Sequence, residues 1–163
     1  MTDESYSAFI EAIDFNKIEV VSLECKQNEE FKAEGKMLDI FLNHSIEKAT
    51  MNGVDIDVKV GFDVFAYKSL GDTMNEPTEI EAEDKLFEVK FILKLKYNLN
   101  LEKDEKTLIE ITNDQEFINV FVDRNVPINV WPYAREIISN VTMKMGFPPL
   151  MIPPYKSDFP FKG

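Results

Sequence analysis

The stretch VPINVWPYAREIISNVTMKMGFPPLMIPPYK, Val126 to Lys156, decides how the rest of the chain is read. Pro132 suits the first turn of a helix, where its missing N–H costs nothing. Around it, Trp131, Ala134, Ile138, Val141 and Met145 recur at three- and four-residue spacing and line one helix face. Gly146 ends that helix, and Phe147-Pro148-Pro149 forbids its continuation. Leu150, Met151 and Ile152 follow as an apolar segment between two proline pairs. The spacing predicts a buried helix and an extended, proline-stiffened tail, with no chemistry in either.

Upstream, the period changes from helical to alternating. In the clearest strand, Val54, Ile56, Val58, Val60, Phe62, Val64 and Ala66 take the even positions while Asp55, Asp57, Lys59 and Asp63 take the odd ones. Asn52-Gly53 before it is a hairpin signal that joins it to an earlier run carrying Leu38, Ile40, Leu42, His44 and Ile46. Residues 86–99 set Phe87, Val89, Phe91, Leu93, Leu95, Tyr97 and Leu99 against Glu88, Lys90, Lys94 and Lys96, a basic face that would attract the acidic one. Residues 17–26 form a further strand, whose apolar parity switches between Val20 and Val21 and so predicts a bulge there. Residues 5–16 fit either a short helix or a strand; a strand-like entry is the reading favoured here. Residues 27–36 make a polar connection carrying Phe31, and residues 69–85 an acidic, solvated link in which Pro77 opens a helical turn. Leu101–Lys106 is a charged connection, Leu108–Ile111 a short apolar piece, and Asp114–Val122 a short helix. The sum is one α+β domain over residues 1–163, a four-stranded antiparallel sheet with a C-terminal helix packed on one face.

Bulk properties narrow the function. The 163 residues, 44% hydrophobic and 29% charged, suit one globular domain with a real core. No apolar run approaches a membrane span and the N-terminus lacks a signal pattern, so direct membrane insertion is not expected. The single Cys25 excludes an internal disulfide and a thiolate metal cluster, which fits a cytoplasmic location. A formal net charge of −12 disfavours nucleic acid and anionic lipid and favours a basic partner protein. His44, the one histidine, falls on the apolar parity of its strand and reads as structural. No phosphate loop, zinc spacing or oriented nucleophile is present, so neither an enzyme nor a cofactor is expected. Thirteen Phe and seven Met suit a surface that accepts many sequences, although most of them belong in a core. Those on the crossover and tail, Phe31, Phe147, Leu150, Met151, Ile152 and Phe159, are the ones free to line a groove.

Trp131-Pro132-Tyr133-Ala134-Arg135-Glu136, followed after one helix by Gly146-Phe147-Pro148 with Leu150, resembles the SecB export chaperone family. The family's usual block begins with Phe where this chain has Trp131. The order of strand, crossover, long hairpin, strand and helix also matches the family.

The resemblance implies an ATP-independent holdase, a homotetramer built as a dimer of dimers, that binds unfolded or precursor proteins through apolar grooves. It also implies docking to the SecA motor. Leu86-Phe87-Glu88-Val89 resembles the family's Leu-x-Glu-Val and supplies Leu86 and Glu88, and Val21-Ser22-Leu23-Glu24 supplies Glu24. A second acid is replaced, with Val20 as its counterpart. The family's second C-terminal helix is missing, the 69–85 link is longer than its tight hairpin, and Lys90, Lys94 and Lys96 dilute the acidic surface, so docking to SecA is less secure than client holding. SecB-like chaperones of toxin–antitoxin systems share the fold, and a non-chaperone oligomeric scaffold or peptide binder is the rival from another class.

Overall fold

The computed structural model describes residues 2–32, 35, 37–69, 80–100 and 114–156. Helix α1 (Asp3–Ala12) leads directly into β1 (Ile13–Gln27); β2 (Leu38–Asn52), β3 (Asp55–Lys68) and β4 (Lys85–Leu99) follow, then α2 (Gln115–Arg124) and α3 (Val126–Lys144). A 3-10 turn, Ala82–Asp84, precedes β4. The strands form one antiparallel sheet in the order β1-β4-β3-β2. The first strand therefore lies at one edge, and the chain crosses to the opposite edge before the β2–β3 hairpin brings it back.

The alternation read from β3 and β4 is the core. Even positions from Ile56 to Ala66 and odd positions from Phe87 to Leu99 are buried, and the pairs Val58↔Leu95, Val60↔Leu93 and Phe62↔Phe91 bring them to one face. Each such side chain contributes roughly 1.5–3 kcal/mol on burial. The opposite face is charged as expected: Lys94 reaches Asp57 at 3.0 Å and Lys90 reaches Asp63 at 4.0 Å. Gly53 closes the β2–β3 turn at φ 62°, a conformation that suits a residue without Cβ. The expected bulge is present between Val20 and Ser22. Others fall between Phe15 and Lys17 and between Ile46 and Lys48.

Two helical expectations need correction. The N-terminal stretch is a helix: Thr2 caps it through a reciprocal pair with Ser5, and Phe9 packs edge-on to Phe117 at 6.1 Å and Phe121 at 5.7 Å. A Thr-x-x-Ser cap is a weaker written signal than Thr-x-x-Glu, and no turn residue separates this helix from β1. The last helix also starts earlier, at Val126, with Pro127 in its first turn and Pro132 inside it. One backbone donor is thereby lost within the helix, where packing of Val126, Val130, Trp131, Ala134, Ile138 and Val141 outweighs propensity. The helix ends as read. Gly146 takes φ 90°, its N–H bonds to Met143 O, and Phe147 N–H bonds to Thr142 O at 3.1 Å, a Schellman close.

Residues 70–79 of the 69–85 link, Pro77 among them, and the whole of the Leu101–Ile111 readings lie outside the described residues. Among the described residues, no helix is long and apolar enough to cross a membrane.

Candidate functional site

One long helix, α3, cannot cover a four-strand sheet completely. Helix α3 packs on β3 and β4, so the same alternation that is buried there runs out into the open on both edge strands. On β1, Phe15, Val20 and Leu23 pair with Tyr97, Leu93 and Phe91 and thus face the helix side, yet Val20 is 54% exposed. Phe15 lies 5.3 Å from Tyr97 and 6.2 Å from Tyr133 of α3, which marks the boundary of the cover. Two further apolar residues of α3, Val130 and Ile137, lie beside the Trp131–Val141 stripe. Val130 is fully buried and Ile137 partly so; the uncovered surface belongs to the edge strands and, on α3, to Ile128, Tyr133 and Met143.

On the other edge, Met37, Leu38 and Ile40 are uncovered, Met37 by 80%. Phe147 stands 5.2 Å from Phe87; Phe87 pairs with Ala66, and Ala66 with Ile40. Phe31 joins the same end of the sheet, because Asn28 donates to Leu86 O (2.9 Å) and Lys85 O (3.2 Å) and accepts from Phe31 N–H (3.1 Å). Phe31, Met37, Leu38, Ile40 and Phe147 are thus gathered at one end. Met37, Leu38 and Ile40 were missed as site residues. Alternation says which face a strand residue takes but not whether a helix reaches that far.

The tail divides the remaining candidates. Leu150 is half-buried, Met151 is exposed, and Ile152 is 3% exposed. Ile152 is therefore part of the core and not a free groove wall, because an extended segment throws alternate side chains to opposite sides. Phe159 lies outside the described residues. The tail runs back along α3 and is held by its side chains. Thr142 Oγ1 accepts from Leu150 N–H (2.9 Å), Arg135 Nε–H donates to Ile152 O (3.0 Å), and Trp131 Nε1–H donates to Pro153 O (2.7 Å). Trp131 itself is buried against His44 (5.3 Å), Phe62 (5.9 Å) and Tyr155 (5.3 Å). Within the Trp131–Glu136 block, Ala134 is buried, Arg135 half-buried, and Pro132, Tyr133 and Glu136 exposed.

His44 lies in that aromatic cluster, and its burial holds the imidazole below its ordinary pKa. Cys25 and His44 occupy opposite edges, three strand spacings or about 14 Å apart, too far to act as a pair. Among the described residues, no group of three His, Cys, Asp or Glu side chains is placed to hold a metal ion.

Glu24 and Glu88 come together on the open, charged face of the sheet, beside the β1–β4 seam, whereas Leu86 is partly buried and packs against the core. Glu24 bonds Lys26 at 2.8 Å, and Glu88 bonds Lys85 at 2.9 Å and Lys90 at 3.5 Å. Burial alone would raise the Glu88 carboxyl, but the hydrogen bond and charge of Lys85, with Lys90, bring it below the usual value. The bulge puts Val20 on the opposite face from Glu24, so Val20 is no counterpart to a docking acid.

The fold and its helix cover now admit comparison with known proteins. The family model for preprotein translocase subunit SecB matches residues 16–159. The chain belongs to the SecB family. Its match to the protein-export protein SecB of Afipia carboxidovorans is 30% identical over 122 residues, which is 74% of this chain and 60% of that protein's length. The SecB-like chaperone Rv1957 of Mycobacterium tuberculosis, solved with a ChAD peptide from the Rv1956 HigA1 antitoxin, superposes with a TM-score of 0.67. At 12% identity, over 96% of this chain and all of that one, the likeness is one of fold. The SecB fold is accordingly present here with its four-stranded sheet and long helix.

Proposed function

We propose that this SecB-family chain is an ATP-independent holdase that binds unfolded or precursor proteins through apolar grooves, in protein export. The observation that carries the reading is the band of Leu38 and Ile40, uncovered on the helix side at one end of the sheet, with the half-buried Phe147 at the same end. Phe31, Leu150 and Met151 extend it. Two client side chains such as Leu or Phe laid there would contribute roughly 3–6 kcal/mol before the cost of ordering them. Met and Phe adapt to many partners, and several weak sites raise avidity without strict specificity. Without nucleotide, the protein suppresses aggregation of several unrelated unfolded proteins, and the Leu38→Ser/Ile40→Ser variant loses much of that activity while its unfolding midpoint stays close to wild type. Equal binding of folded and unfolded forms of a client, or binding of one folded partner only, would show a dedicated scaffold instead.

The second uncovered strip, Phe15, Val20 and Leu23 on β1, suits a second copy of the chain, and a homotetramer built as a dimer of dimers follows from the family reading. Light scattering at micromolar concentration gives a multiple of the monomer mass, reduced in Val20→Lys/Leu23→Lys; a monomer mass for the wild type rules the assembly out. SecA docking would use Glu24, Leu86 and Glu88. The lysines that pair both acids must turn aside for a basic partner to reach them, which makes docking weaker than client holding.

A further inference from the structure

The segment Leu150–Tyr155 has an unusual mode of attachment. Past Phe147 N–H, each hydrogen bond that fixes the tail among the described residues runs between its backbone and a side chain of α3: Leu150 N–H to Thr142, Ile152 O to Arg135, Pro153 O to Trp131. Amides and carbonyls are common to every peptide. The only side chain of the segment that is fully enclosed is one aliphatic group, Ile152, while Met151 points outward. Four prolines, at 148, 149, 153 and 154, stiffen the segment and hold it extended. The far wall comes from the aromatic group of Phe62, His44 and Trp131, against which Tyr155 closes at 5.3 Å from Trp131 and 6.0 Å from His44.

A channel that reads backbone atoms and one aliphatic side chain is a site for extended apolar peptide. We infer that the channel between α3 and the β2–β3 half of the sheet is such a site, with the chain's own tail as its resident ligand. A bound unfolded client displaces that tail from Leu150 onward. The inference rests on the holdase reading and adds a competitor to it. As part of the same molecule, the tail acts at an effective concentration in the millimolar range, and its prolines reduce the entropy it loses on seating. A short free peptide therefore loses the contest. A long unfolded chain, already held at the band formed by Leu38, Ile40 and Phe147, competes from an equally tethered position. Phe147 belongs to both regions, so a client seated on that band begins at the hinge from which the tail would peel.

The test uses the full chain and a permanently unfolded probe, reduced and carboxymethylated α-lactalbumin. Hydrogen exchange is followed at the Leu150 amide, whose acceptor is Thr142 Oγ1. Saturating probe should speed exchange there by at least about tenfold, a loss of protection of about 1.4 kcal/mol. Thr142→Val, which removes that acceptor, should bind the probe several-fold more tightly. Probe binding that leaves Leu150 as protected as before, or more so, overturns the displaced tail and leaves the holdase reading standing; so does a folded Thr142→Val variant that binds no better. Absence of any probe binding overturns both.

Discussion

Trp131→Ala is expected to destabilise the fold by about 3–5 kcal/mol, read as a fall in the denaturant midpoint without a change of slope. The indole fills the junction of helix, sheet and tail, in ring contact with His44, Phe62 and Tyr155. Its truncation opens a cavity and leaves Pro153 O without its donor. Trp131→Phe separates the two effects. It keeps one aromatic ring in the junction and loses the N–H together with the volume of the second ring, at about 1–3 kcal/mol. A loss below about 1 kcal/mol for Trp131→Ala would show that the junction can close without the indole.

Neighbouring tail positions should respond in opposite ways. Ile152→Ser deletes a buried aliphatic side chain and encloses a hydroxyl, so a loss of about 3–5 kcal/mol is expected. Met151→Ser, at a position 65% exposed, should change stability by less than about 0.5 kcal/mol and show its effect in weaker binding of unfolded clients. Chemical unfolding measures the first difference and a light-scattering aggregation assay the second. Equal stability losses at both positions would mean that Met151 is covered as well.

The two variants also show how far the sequence could be read. Period-2 runs in β3 and β4 had one interpretation, because both faces were chemically distinct over a dozen residues, and the core follows from them. Gly146 with its prolines likewise had one interpretation. The apolar letters of the tail did not distinguish Ile152 from Met151, since three consecutive apolar residues carry no alternation from which to choose. Helix α1 was illegible for a related reason. Phe9 and Ile13 satisfy a helical spacing and a strand parity equally, and the cap that settles the matter is a hydroxyl pair, Thr2 with Ser5. Pro132 misled because helix-start preference is local, whereas the position of α3 is fixed by six buried side chains along the helix. Glu24 and Glu88 fall on one face of the sheet, and Val20 does not join them, because one bulge reverses every side chain beyond it.

Those bulges have a consequence for what this molecule does when crowded. A sheet with two fifteen-residue margins, apolar on one side, offers the template from which cross-β fibrils grow. Interruptions divide the paired run of β1 into Ile13–Phe15, Lys17–Val20 and Ser22–Gln27, segments too short or too charged for an in-register zipper of six or seven apolar residues. The other margin is broken after Ile46, and its longer part carries Asp39 and His44. A protein that exposes apolar strand faces can in this way remain receptive to other chains while its own copies are poor seeds for one another.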